Sequence, residues 1–497
     1  MSRARRRTRS ARLTAPLAAA VLLAGGVGTW ALTGASAQAA TTGSADARDD
    51  FNGDGYADLV VGAPNATVSG KAKAGYVAVM YGSPSGLSAA KKKLISRSTS
   101  GVPGSATANQ YFGATFDKGD LDGDGLTDLV IAGGKAGSVV LWGSTSGLTG
   151  GTAIAGYGAA PQAGDFDGDG TLDLALFATQ DVEGDDPPSG AATVWKGPVS
   201  RAGKPTATLP VLNKSLWWGY QADDATCATN GGCEEDADSI SGPIQSSTAG
   251  DINHDGKDDI VQWIYTGDGT WGNRVLYGGG GTGFTGGWVP GDGVGLDTGT
   301  GIGDVNGDGF DDVVVGADGW HTKVQVALGS AAGLSESRVQ TLDQDLPGFP
   351  GVEEEGDDLG TSVSVADVTG DGYADIALGI AGEDVSGVVD AGSVALVHGS
   401  PSGVTGTGTQ VFHQDTAGVP GVAEEDDRFG VSTALLDVDG NGHRDLAAGS
   451  SAENAANGAV WVLRGTATGL TTTSALAFGP KTVSAPYTKA RFGSFLR

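Results

Sequence analysis

The apolar residues of this chain fall in short runs, most of them ending in glycine. Leu59-Val60-Val61-Gly62-Ala63-Pro64, Leu129-Val130-Ile131-Ala132-Gly133, Leu174-Ala175-Leu176-Phe177, Ile260-Val261, Val313-Val314-Val315-Gly316, Ile376-Ala377-Leu378-Gly379 and Leu446-Ala447-Ala448-Gly449 are too short for buried helices. They predict strands. A second set of runs follows each at a distance: Gly75 to Gly82, Gly137 to Gly143, Gly392 to Gly399 and Gly458 to Gly465, each glycine-bounded and rich in Val, Ala and Leu. A turn of the Ser83-Pro84-Ser85-Gly86-Leu87 type usually comes next, as at Ser144–Leu148, Ser330–Leu334 and Ser400–Val404. With 87 glycines and almost no amphipathic helical pattern, the predicted class is all-β.

The polar stretch before each first run is the repeated unit. Seven times the chain places an aspartate at positions 1 and 9 and a glycine at position 6. Side-chain oxygens recur at positions 3 and 5, and position 7 offers a backbone carbonyl. The copies are Asp50, Asn52, Asp54, Tyr56 and Asp58; Asp120, Asp122, Asp124, Leu126 and Asp128; Asp165, Asp167, Asp169, Thr171 and Asp173. They continue with Asp251, Asn253, Asp255, Lys257 and Asp259; Asp304, Asn306, Asp308, Phe310 and Asp312. The last two are Asp367, Thr369, Asp371, Tyr373 and Asp375; and Asp437, Asp439, Asn441, His443 and Asp445. A hard divalent cation takes six to eight oxygens, and alternate residues of a curled loop can aim theirs at one point. The glycine (Gly125 in the second copy) allows the backbone angle such a curl needs. One copy alone could be an ordinary Asp/Gly turn. Seven copies at one spacing, each followed by a strand, predict loops for up to seven Ca2+ ions. The Thr369 and Asn441 loops, each lacking a charge at a ligand position, are expected to bind most weakly.

An aromatic-glycine pair stands upstream of several loops: Phe112-Gly113, Tyr157-Gly158 and Phe429-Gly430. Phe-Gly, acidic loop, strand ending in Gly-Ala-Pro, then Gly-x-Val-x-Val resembles the FG-GAP (and VCBS) repeat of integrin alpha N-terminal propellers and their bacterial relatives. The resemblance covers the chain from about residue 46 onward. It implies a seven-bladed, calcium-binding β-propeller. Arg491-Phe492-Gly493 supplies a further place for the aromatic-glycine strand, with no loop after it, while the first loop has none before it. The C-terminal strand is therefore expected to complete blade one and close the ring, which hides its edges. A propeller of repeats forms one body over 41–497, overriding the three domains that length alone suggests.

Two irregularities stand out. Only 45 residues separate the first aspartates of loops two and three, predicting a thin blade with Tyr157 in the aromatic place. Between loops three and four, 86 residues leave room for an insertion at about 197–250. It holds both cysteines, Cys227 and Cys233, expected to form a small disulfide hairpin, together with Trp217, Trp218 and Tyr220. The acidic runs Glu353–Asp358 and Glu424–Asp427 are expected to be solvated rims.

Residues 1–40 read as a secretory signal peptide. Six arginines without an acid precede an apolar stretch, and Ala37-Gln38-Ala39 offers a cleavage site. The expected location is secreted and extracellular, with no membrane span once the leader is removed. The formal net charge is −29, and the loop positions hold 23 of the 59 acidic residues. The loops thus account for much of the acidity, and the absence of a basic patch argues against nucleic acid as a partner.

Three function classes remain open on the sequence. The favoured one is a non-catalytic adhesion or binding module, acting as a monomer on an extracellular protein or glycan ligand. Trp271, Trp288 and Trp320 join Trp217 and Trp218 as candidate stacking residues. The second is a polysaccharide lyase or glycoside hydrolase on a calcium-bearing propeller. No Gly-x-Ser-x-Gly, P-loop or His-Glu-x-x-His occurs, and His254, His321, His398, His413 and His443 share no ligand spacing. No catalytic residue is assigned. The third is a structural envelope protein.

Overall fold

The short apolar runs are strands, and their burial explains why they do not alternate with polar residues. A computed structural model describes residues 49–181, 188–213, 239–291, 299–317 and 323–497. Leu59–Ala63, Asp128–Ile131, Asp173–Phe177, Asp259–Gly267, Asp312–Val315, Asp375–Ile380 and Asp445–Ser450 each form the second strand of a blade. Leu59, Val60 and Val61 are all fully buried. Both faces of such a strand are covered by the adjacent blades, so the side chains after its opening aspartate are mostly apolar on both faces. Burying each Val or Leu contributes about 1.5–3 kcal/mol.

Seven antiparallel sheets result. Blades two, four, five, six and seven each have four strands in simple up-and-down order. Blade three adds a short strand, Ser239–Ser241, paired to its third strand, Ser189–Trp195. The short second blade is not thin in strand count: Phe116–Gly119, Asp128–Ile131, Ser138–Trp142 and Thr149–Ile154 give it the full four. The only α-helical element among the described residues is one turn, Glu453–Ala456, in which Asn454 and Ala455 have positive φ.

Blade one has three strands of its own, Leu59–Ala63, Tyr76–Met80 and Lys92–Ile95. The C-terminal segment supplies its inner edge. Val60 N donates to Arg497 O (2.7 Å), Gly62 N to Phe495 O (2.9 Å) and Gly493 N to Gly62 O (3.0 Å). Phe492 is fully buried against Tyr76 and Phe478, and Phe495 packs edge-on to Phe116 of blade two. The ring is closed as the C-terminal aromatic-glycine pair predicts.

The aromatic-glycine pairs and the strand-ending glycines meet between blades. A Cβ on Gly379 would lie 1.9 Å from the carbonyl oxygen of Gly430, and one on Gly449 would lie 2.2 Å from that of Gly493. Only glycine lets the backbones approach so closely. Phe112 and Phe429 are fully buried beside these contacts, while Tyr157 is half-buried.

Inner strands such as Phe116–Gly119, Ile244–Gly250, Thr300–Gly303, Leu359–Ala366 and Ser432–Leu436 line a central cavity of about 860 Å3. Inside the ring the Arg497 guanidinium pairs with Asp117 of blade two and donates to Ser247 O (2.8 Å) of blade four. The candidate leader, the cysteines Cys227 and Cys233, and Trp217, Trp218, Trp320 and His321 lie outside the described residues. No helix among the described residues is long and apolar enough to cross a membrane.

Candidate metal centres

In blades two to seven the acidic loop joins the inner strand to the second strand. Loop one enters the second strand of blade one in the same way. In an up-and-down blade the first and third connections share one end, so all seven loops occupy one face of the ring. Loops one to five are also held by the blade that follows, and loop seven by blade one. Ser144 N donates to Phe51 O (3.2 Å), Val199 N to Leu121 O (2.6 Å) and Ser400 N to Val305 O (3.0 Å).

Within each loop the aspartates first shape the backbone. In loop two, Asp120 Oδ1 accepts from Gly123 N (2.9 Å) and Asp124 N (3.0 Å), and its Oδ2 accepts from Gly125 N (2.9 Å). Asp122 Oδ1 accepts from Asp124 N (3.2 Å), and Asp124 Oδ1 from Leu126 N (3.0 Å). The other loops repeat most of this pattern; for example Gly372 N donates to Asp367 Oδ2 and Gly442 N to Asp437 Oδ2. The side-chain oxygens converge because each caps an amide two to five residues further along.

Position 9 has a second role that spacing alone does not disclose. All seven of these aspartates, Asp58, Asp128, Asp173, Asp259, Asp312, Asp375 and Asp445, are fully buried. Asp128 Oδ2 accepts from Leu121 N (3.0 Å), and its Oδ1 accepts from Gly143 N (2.7 Å) at the end of the third strand. The same pair of bonds recurs in every blade, from Phe51 and Gly82 on Asp58 to Val438 and Gly465 on Asp445. The residue therefore ties the loop to the third strand. Burial pushes the carboxyls of Asp58, Asp128, Asp312 and Asp445 up to about 7, Asp173 to about 6 and Asp259 to about 8. Asp128→Ala leaves two buried amides without an acceptor, at about 1–3 kcal/mol each. Urea unfolding in EGTA should show that loss, well above the effect of exposed Asp181→Ala; equal effects would contradict the role.

The donor set fits a hard cation. In loops two, three and seven, carboxylate oxygens of positions 1, 3 and 9 (Asp120, Asp122 and Asp128; Asp165, Asp167 and Asp173; Asp437, Asp439 and Asp445) lie within 4.8 Å of one another. Thr369 Oγ1 and Asp167 Oδ1, both at position 3, are buried without a hydrogen-bond partner. Oxygen-only ligands of this kind suit Ca2+ rather than Zn2+ or copper.

Basic side chains also enter the loops, a feature that the reading by spacing missed. Lys196 Nζ contacts Asp167 Oδ2 and lies 2.7 Å from Asp169 Oδ2. Arg201 contacts Asp122 and lies 2.8 Å from Asp124 Oδ2, with its guanidinium over Trp142. Arg464 contacts Asp439. Two of the three sit immediately before the third-strand glycine, in Lys196-Gly197 and Arg464-Gly465, which is the signal that could have found them.

The acidic runs before blades six and seven are not only rims. Asp357 and Asp427 point inward at 5% and 2% exposure and cap Glu354 N (2.8 Å) and Glu424 N (3.1 Å). Behind them Gln344 Nε2 donates to Glu383 Oε2 (2.9 Å) and Gln414 Nε2 to Glu453 Oε2 (2.9 Å). Burial, then the neighbouring Asp427 charge, pushes Glu453 up to about 7. A carboxyl with a raised folded pKa favours folding below the ordinary carboxylate range, and that contribution is lost as pH rises through about 7. Glu453→Gln should therefore raise the melting temperature at pH 8 and change it little at pH 5. Equal shifts in thermal scans at both pH values would refute the assignment.

The aromatic candidates divide. Trp271 stacks on Trp263 (6.2 Å) and meets Tyr265 edge-on (5.5 Å), at the hairpin joining the second and third strands of blade four. Trp288, on the fourth strand, is 45% exposed.

A closed ring of seven sheets with one acidic loop per blade defines a propeller of the integrin-alpha-like kind. Comparison with known families agrees. The FG-GAP repeat matches residues 42–80, 298–330, 359–397 and 429–463, and the FG-GAP-like repeat matches 120–176. The chain carries FG-GAP repeats. It is 30% identical over 155 residues to integrin alpha-3 of Cricetulus griseus and of Mus musculus, and 31% identical over 153 residues to integrin alpha-5 of Xenopus laevis. These alignments take in 30–31% of this chain and only 14% of each integrin. A solved Agrocybe aegerita lectin superposes with a TM-score of 0.37 at 17% identity, over 72% of this chain and 80% of that one. So loose a superposition says nothing about ligands.

Proposed function

We propose that this chain is a secreted, calcium-stiffened propeller that acts as a non-catalytic binding module for an extracellular protein or glycan. One observation carries the reading. All seven acidic loops share one face, so cations would rigidify that end while the connections at the opposite end are left to meet a ligand. Positions 1, 3, 5 and 9 would hold Ca2+ through their carboxylate, amide or hydroxyl oxygens, and position 7 through its carbonyl. Bound there, the ion supplies positive charge to loops that otherwise carry several carboxylates each. Trp271, partly exposed and backed by the buried Trp263 and Tyr265, belongs to the opposite end and offers an apolar ring of the sort that sugars or side chains stack on. The leader and its cleavage site support export, and the similarity to integrin alpha chains supports a binding role.

The test is a glycan and extracellular-protein array probed with the mature chain in millimolar calcium and again in EGTA. Calcium-dependent binding that weakens in Trp271→Ala supports the module. Release of new sugar ends from a polysaccharide would instead support the lyase or hydrolase reading. Silence on every array would favour the structural one.

A further inference from the structure

Position 3 divides the seven loops into two groups. It is neutral in loops one, four, five and six (Asn52, Asn253, Asn306 and Thr369) and an aspartate in loops two, three and seven (Asp122, Asp167 and Asp439). Each of these three aspartates receives a basic side chain: Arg201 on Asp122, Lys196 on Asp167 and Arg464 on Asp439. None of the four neutral residues could form such an ion pair. In loops two and three the same basic group continues onto position 5, at 2.8 Å from Asp124 Oδ2 and 2.7 Å from Asp169 Oδ2. In loop seven that position is Asn441, so Arg464 has no second carboxylate there.

The oxygens taken are those a cation would use. Asp122 Oδ1, Asp124 Oδ1 and Asp169 Oδ1 already accept from the amides of Asp124, Leu126 and Thr171. The Oδ2 atoms remain, and the basic groups hold them; in loop three Asp167 Oδ1 is buried without a partner, so Lys196 takes one of its two oxygens. Charge follows the same rule. Loops two and three have acids at positions 1, 3, 5 and 9, one more than loops one, four, five and six, and one basic group offsets the excess. Loop seven has three acids and a guanidinium at position 3, so its only position-3 carboxylate is already neutralised. Basic contacts elsewhere are weaker matches: Arg338 reaches only Asp308 (3.0 Å) and Lys257 only Asp255 (2.9 Å), both at position 5.

We propose that Arg201, Lys196 and Arg464 are internal counter-cations, so that loops two, three and seven bind Ca2+ only by displacing them, while loops one, four, five and six take it directly. The inference rests on the calcium reading above and deepens it. It makes the apo state of three loops self-neutralised and limits the tightly held ions to four. It also separates loop six from loop seven: the unpartnered Thr369 Oγ1 stays available, whereas Asp439 is already paired.

Native mass spectrometry of the mature chain, with calcium titrated calorimetrically, tests this. The wild type should hold four ions tightly, and any others at least tenfold more weakly. Lys196→Met and Arg201→Met should each add one tight ion, whereas Arg338→Met should leave the count unchanged. In EGTA the same two variants should melt below the wild type, because four carboxylates lose their internal cation, and calcium should restore them. Lys196→Gln serves if the methionine variant does not fold. Seven equally tight ions in the wild type, or weaker calcium binding after Lys196→Met, would overturn the proposal. No ion on any variant would overturn the calcium reading itself, and the proposal with it.

Discussion

Chelation with EGTA should lower the melting temperature of the propeller by on the order of 10 °C. The reasoning is by mass action. An ion present at a hundred times its dissociation constant stabilises the folded chain by about 2.7 kcal/mol per site, provided the unfolded chain does not bind it. Four such sites give about 11 kcal/mol. Unfolding entropy near 2.1 cal/mol/K per residue converts that, for a body of about 450 residues, to roughly 1 °C per kcal/mol. Calcium is expected to act through the loops because buried position-9 carboxyls such as Asp128 are tied to backbone amides and cannot swing out to solvent. A calorimetric scan with and without EGTA checks the figure, and coincident curves would reduce the loops to turns.

Removing Arg491–Arg497 should be as damaging in calcium as chelation is in the intact chain. The segment gives blade one its inner edge through four backbone hydrogen bonds with Val60 and Gly62. Each is worth about 1 kcal/mol. It also buries Phe492 and Leu496, whose loss costs about 3–5 and 2–5 kcal/mol. The sum is on the order of 10 kcal/mol, and the exposed edge of Leu59–Ala63 invites pairing between chains. The truncated protein should melt about 10 °C lower and elute partly as aggregates in size-exclusion chromatography. Arg497→Ala keeps the strand and removes only the contacts with Asp117 and Ser247, so it should have a much smaller effect. A truncated chain that melts with the wild type would mean the ring does not depend on this closure.

Much of the fold was legible because its unit is short and repeated. The nine-residue loop, the apolar run and the aromatic-glycine pair recur at fixed offsets, and each describes contacts within one blade or between neighbours. The place of Phe492-Gly493 in blade one could be inferred by counting, since the first of the seven loops has no inner strand before it and the C-terminal aromatic-glycine pair has no loop after it. The inward turn of Asp357 and Asp427 was not legible. Those residues sit in runs of acids that look uniformly solvated, and what draws them in is capping of Glu354 N and Glu424 N in a loop whose shape the run does not encode.

The same division holds for the candidate centres. The sequence by itself determined which oxygens each loop can offer, because ligand spacing is a property of consecutive residues. It also determined that seven blades close through the C-terminal strand. Only the tertiary structure decided what those oxygens meet. Arg201 lies 79 residues from Asp122, and Lys196 lies 29 from Asp167. Whether a carboxylate faces a cation from solvent or one from its own chain depends on how the third strand and its following turn fold back over the loop. That is a matter of packing between segments, which no local pattern records.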